Sequence, residues 1–135
     1  MLTLDMFLVA SARASREVSE TPLDEMELFD LIEPRLVQSA LEAPFETLGG
    51  LPLYPDPAEK AAILAARLTK SAQLPDNIEL LVALLLVELV LDAAGLALSA
   101  SAPELDVFFR VAAEGVLSDD QLIQWMASHT AALRM

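Results

Sequence analysis

The sequence predicts an all-α fold, a bundle of about six helices around a buried central helix. Three observations predict it. The segment from Ile78 to Leu91 is apolar on every side, interrupted only by Glu79 and Glu88, which is the pattern of a helix enclosed by others. Flanking segments are one-sided: Ile63, Leu64 and Leu68 form one apolar stripe, and Leu122, Ile123, Trp125 and Met126 form another. Capping signals recur along the chain at spacings that suit short helices.

The elements follow in order. A first helix covers about 2–18. The second covers about 22–42: Thr21 offers a hydroxyl cap, Pro22 the first helical position and Asp24 an acid at the third. Pro34 breaks it into two pieces. Gly49-Gly50, with Pro52 and Pro55 close behind, marks a short flap hairpin or a loop. Asp56-Pro57-Ala58-Glu59 repeats the capping logic and opens a helix over about 57–71. Asp76 with Glu79, Ser101 with Glu104 and Ser118 with Gln121 start helices over about 77–94, 102–114 and 119–132. Gly95 and Gly115 stop two of them. No repeat or linker interrupts the chain, which therefore reads as one helical domain over residues 1–135.

An apolar helix of this kind also raises the possibility of a membrane span. Extending it to the roughly 20 residues that a span requires takes in Glu88, Asp92 and Gly95. Each carboxylate near a bilayer centre costs about 2.5–3.5 kcal/mol, and no basic flank or aromatic belt supports insertion. The core helix is the better reading, with Leu81, Leu84, Leu85, Val87 and Leu91 expected to be almost wholly buried.

Composition narrows the function classes. With 21 acidic against 8 basic side chains the net charge is −13, so the chain lacks the basic patch that nucleic acid or an anionic membrane surface attracts. Apolar residues make up 55 %, too many for a disordered chain. The absence of cysteine excludes disulfides, thiolate metal sites and cysteine nucleophiles. Residues 1–5 have no basic region ahead of their apolar residues, so the expected location is the cytoplasm.

Chemistry-bearing residues are sparse. His129 is the one histidine; without a second His or a Cys it completes no common zinc set. Near a helix end its structural reading is much the stronger. Asp24, Glu25, Glu27, Asp30 and Glu33 interleave with Met26, Leu28, Phe29, Leu31 and Ile32, which makes them the solvated face of an amphipathic helix. Asp119-Asp120 suits a helix start. No Walker loop, Rossmann glycine pattern or nucleophile elbow is present.

Four stretches nevertheless resemble one family. Leu36-Val37-Gln38-Ser39-Ala40-Leu41-Glu42-Ala43-Pro44 is similar to the "ESALARP" helix end of the Doc/Fic (death-on-curing) toxins. Phe45-Glu46-Thr47-Leu48-Gly49-Gly50 with Leu53-Tyr54-Pro55 resembles their flap, and Ala58-Glu59-Lys60-Ala61-Ala62 resembles the opening of the next helix. Gly95-Leu96-Ala97-Leu98, Ala113-Glu114-Gly115 and Leu122-Ile123-Gln124-Trp125 resemble the C-terminal half of the Doc branch. The resemblance runs from about Leu28 to Thr130 and implies a Fic/Doc-like helical bundle.

It also implies where chemistry belongs, and there the match fails. The family signature reads His-x-Phe-x-(Asp/Glu)-(Gly/Ala)-Asn-(Lys/Gly)-Arg. Gln73 stands at the histidine and Pro75 at the phenylalanine. Asp76 and Asn77 lie next, with Asn77 at the acid in the ungapped register and Asp76 there after a shift of one. Ile78 replaces the small residue, Glu79 follows it, and Leu80-Leu81 replace Lys-Arg. Glutamine has no titratable group to act as a base. A neutral amide is a poorer ligand for magnesium. A β-branched residue crowds a phosphate-binding helix start, and leucine cannot steady phosphate charge. The family's self-inhibitory Ser/Thr-x-x-x-Glu-Gly/Asn pattern is missing as well.

The expected function is therefore that of a catalytically inactive Doc/Fic-like protein, of the toxin–antitoxin type, that binds a protein partner such as an antitoxin-like chain and uses no cofactor. In the family the flap aligns an extended target segment, and here Gly49, Gly50, Leu51, Leu53 and Tyr54 occupy it. A plain loop between helices accounts for the same residues. The alternative is an active AMP- or phosphotransferase with a rebuilt site, in which Asp76 or Glu79 serves as base and metal ligand. That reading needs Arg35, Arg67 or Arg110 to converge on them. A helical protein outside the family explains the caps and periodicity equally well.

Overall fold

Local sequence rules produce seven α-helices and two small two-stranded antiparallel sheets in the computed structural model, which describes residues 2–133. Helix α1 is Leu4–Val18, α2 Glu25–Leu31, α3 Pro34–Glu42, α4 Pro57–Ser71, α5 Ile78–Ala93, α6 Ala102–Glu114 and α7 Asp119–Ser128. Strands β1 (Thr47–Leu48) and β2 (Leu51–Pro52) form a hairpin. Strands β3 (Leu96–Leu98) and β4 (Thr130–Ala132) pair the chain after α5 with the tail after α7. The all-α class is as expected, and no helix among the described residues is long and apolar enough to cross a membrane.

Most caps act as the sequence predicts. Ser101 Oγ accepts from the Glu104 N–H while Glu104 accepts from the Ser101 N–H, and Ser118 with Gln121 repeats the arrangement. Reciprocal bonds of this kind satisfy helix N–H groups that have no partner within the helix. Gly115 ends α6 at φ +73, a conformation that costs glycine nothing. Three boundaries move. Asp24, not Thr21, caps α2, because its carboxylate accepts from the Glu27 N–H at 2.8 Å. Asn77, not Asp76, is the cap position of α5 and makes no side-chain cap bond. The last helix stops at Ser128, and residues 130–132 extend to pair with β3 instead.

The larger correction concerns the centre. The helix enclosed on every side is α4, not α5: Ala61, Ala62, Ile63, Leu64, Ala65, Ala66 and Leu68 are each 0 % exposed. Helices α3, α5, α6 and α7 all pack against it. Alanine explains the exchange, since a methyl side chain lets neighbouring helix axes close to the short end of the usual 8–10 Å or so. Helix α5 packs mainly against α4 and α1, and less extensively against β3 and α6. Val87 and Leu91 are buried as expected, but Leu81, Leu84 and Leu85 are only half-buried, and Leu89 is 44 % exposed. In α2, Leu28 packs inward, as does the C-cap Ile32, while Met26, Phe29 and Leu31 face solvent.

Candidate functional site

The segment between α3 and α4 folds as a hairpin rather than a plain loop. Leu48 pairs with Leu51 and Thr47 with Pro52, leaving Gly49 (φ +61) and Gly50 (φ +82) as the two turn residues. Two positive φ values in a two-residue turn match the twist of the flanking strands and favour glycine. The Leu53 N–H donates to the Glu46 carbonyl at 3.0 Å, so the Glu46–Leu53 pair is hydrogen-bonded. Antiparallel pairs alternate; Thr47 and Pro52 therefore form a pair whose backbone groups point outward. Pro52 loses no hairpin bond by lacking an N–H, and it leaves the outer edge of β2 without that donor. The edge of β1, with the Thr47 N–H and C=O, stays complete. Among the described residues no further strand flanks either side.

The hairpin projects from a fixed base. Pro44 just before it is buried, and Lys60 of α4 donates its ammonium to the Tyr54 carbonyl just after it. Leu48 and Leu51 are 74 % and 72 % exposed. Leu53 is exposed too, and Tyr54 is half-buried.

The segment Gln73–Leu81 lies at the other end of α4. Gln73 is exposed and Leu74 buried. Asp76 (φ 57) and Asn77 (φ 55) are consecutive left-handed residues, a conformation that Asp and Asn tolerate better than most. Ile78 is wholly buried, so the position of the family's small residue here anchors α5 in the core. Glu79 turns back, and its Oε2 accepts from the Leu74 N–H at 3.2 Å. Asp76, Asn77, Leu80 and Leu81 line a cleft of about 320 Å³ beside Phe109 and Arg110 of α6. Arg110 is held by Asp106 at 2.9 Å, which raises its already high pKa. Of the three arginines that a rebuilt transferase site requires, Arg110 alone lines this cleft. Arg67 is engaged elsewhere by Asp119, at 3.0 and 2.8 Å.

His129 takes a packing role. Its ring stacks on Trp125 at 4.0 Å, and Trp125 stacks on Phe108 at 4.1 Å. Nδ1 lies 2.7 Å from the Trp125 carbonyl and must donate to it, while Nε2 lies 3.6 Å from Glu104 Oε2. The carboxylates Asp24, Glu25, Glu27, Asp30 and Glu33 are all exposed, as a solvated face requires. Among the described residues no group of three or more His, Asp or Glu side chains is placed to hold a metal ion.

Sequence reasoning missed the open face of α5. Its only warning was the alanine-rich α4, a second candidate for the centre of a bundle that encloses one helix. The chain matches no family model, no curated protein and no solved structure.

Proposed function

We propose that this chain is a catalytically inactive Doc/Fic-like protein that works by binding another protein, adding an extended segment of its partner to the hairpin. The observation that carries the reading is the β1 edge: backbone groups of Thr47 facing outward, beside Leu48 and Leu51 at more than two-thirds exposure. A free edge of this kind invites pairing unless it is blunted. Strand addition takes its affinity from main-chain hydrogen bonds and its selectivity from alternate side chains. The loss of catalysis rests on Gln73 and Leu81 at the base and cation positions, with Glu79 adding a negative charge that repels polyphosphate.

The test must spare the hairpin itself. A Leu53→Pro change removes the bond to Glu46 and melts the hairpin along with its edge. Thr47→Pro removes one outward donor only, and Glu46 ahead of it (φ −66, ψ 147) already has the conformation that a residue before proline prefers. Captured partners should fall away from Thr47→Pro while the fold persists. Equal capture by both proteins refutes the edge.

A further inference from the structure

Helix α5 carries an apolar face that the fold covers only in part: Leu81, Leu84 and Leu85 are half-buried and Leu89 is 44 % exposed. Leu81, Leu84, Leu85 and Leu89 recur at helical spacing along one side of its 16 residues. Clefts flank the Leu85–Leu89 end of this ridge on both sides, whereas Leu81 and Leu84 line the cleft against Phe109 and Arg110 of α6. On the α1 side, Met6, Val9 and Ala10 face Leu85 and Leu89 across a cleft of about 460 Å³. On the β3 side, Leu96, Ala97 and Leu98 face the same two leucines across about 470 Å³. A ridge flanked by grooves is the surface against which another helix packs.

The chemistry of the occupant follows from two properties of this face. Its backbone is helical, so its N–H and C=O groups are already bonded within α5 and offer nothing to an extended chain. A helical partner, whose own backbone groups are already paired, covers it without burying unpaired peptide groups. The rim is acidic: Asp5, Glu88 and Asp92 line the two clefts, are exposed, and form no ion pair among the described residues. Arg13, the cation on that rim, lies 4.0 Å from Glu17. A second copy would set these carboxylates against themselves across a two-fold contact, in a chain that already carries a net charge of −13.

We propose that the α5 face is a docking groove for an amphipathic helix with a leucine-type stripe flanked by lysine or arginine, on a surface separate from the hairpin. The probe is a synthetic helical peptide of about 20 residues with leucines at i, i+3, i+4 and i+7 and lysines between them. Two controls are its glutamate-for-lysine counterpart and a proline-broken peptide of the same composition. Fluorescence anisotropy at physiological salt should give saturable binding of the lysine peptide alone. Glu88→Lys with Asp92→Lys should weaken it about tenfold or more. Leu85→Asp with Leu89→Asp should abolish it, and Thr47→Pro should leave it unchanged. Thr47, Glu88, Leu89 and Asp92 are exposed and Leu85 is half-buried, and circular dichroism verifies the fold of each variant. Binding that ignores the α5 changes, or binding of the glutamate peptide equally well, overturns the proposal. So does a stable wild-type dimer in sedimentation that Leu85→Asp with Leu89→Asp dissolves, since the face then belongs to a second copy.

Discussion

Arg67 and Asp119 meet in a bidentate ion pair, with nitrogen–oxygen distances of 3.0 and 2.8 Å across 52 residues of sequence. The pair ties the middle of α4 to the first turn of α7, where a carboxylate also complements the helix dipole. Hydrogen bonding to Arg67 holds the Asp119 carboxyl below its ordinary pKa of 3.8. Both side chains are more than a third exposed, so solvent screens most of the gain. Asp119→Asn should cost about 0.5–1 kcal/mol at neutral pH. A depressed pKa stabilises the fold above the unfolded value and ceases to do so as pH falls through the folded one. In urea unfolding, the gap between wild type and Asp119→Asn should therefore close as the pH drops below 3.8. A gap that persists at the lowest pH would show that the variant had lost something other than this charge.

The exchange of centre between α4 and α5 sets an order of mutational costs. Leu64→Ala opens a cavity in the enclosed helix and should cost about 2–5 kcal/mol. Ala65→Leu forces three carbons into a position that is 0 % exposed and should cost about 1–3 kcal/mol. Leu85→Ala removes a half-buried side chain and should cost only about 1 kcal/mol, a fraction of the 1.5–3 kcal/mol or so for full burial. Urea midpoints at constant slope give the ranking. If Leu85→Ala proves as damaging as Leu64→Ala, α5 belongs at the centre after all.

Helix positions were legible because caps and prolines act locally. Ser101 with Glu104, Ser118 with Gln121 and Pro57 at the first helical position each state their role within four residues. Which helix becomes the centre depends on how closely neighbours approach. Alanine registers weakly in an apolar stripe, yet the four wholly buried alanines of α4 permit the closest approach. Leucine registers strongly, so Ile78–Leu91 looked enclosed although one side of it stays open. The hairpin was half legible: Gly49-Gly50 marked a turn, but only the Glu46–Leu53 bond fixes which groups of β1 and β2 face outward. His129 gave no sign of its stack on Trp125, although the two sit four residues apart, as neighbours on a helix face do.

Nucleotide binding offers a test of the inactive reading. Gln73 and Leu81 stand at the base and cation positions of the resemblance, and the one arginine lining the cleft beside Asp76 is held by Asp106. A ligand stabilises only the state it binds. Millimolar ATP with magnesium should leave the melting temperature unchanged. A saturable, magnesium-dependent rise would instead favour an active transferase.

The hairpin's turn controls how far its edge is preorganised. Two strands of two residues each, exposed on both faces, form a unit that is marginally stable by itself. Such a unit opens locally without unfolding the core. Asparagine followed by glycine is the strongest two-residue turn of this type, so Gly49→Asn should close the hairpin more of the time. Gly50→Val places a β-branched residue at φ +82 and should open it. Amide exchange at Leu53, whose N–H donates to Glu46, reports the closed population directly. It should slow in Gly49→Asn and quicken in Gly50→Val, while the global melting temperature barely moves in either. An edge already in its binding conformation has less order left to lose on association, so partner affinity should follow the same ranking. If exchange at Leu53 shifts as expected and partner capture does not, the hairpin is real and its edge is not what the partner reads.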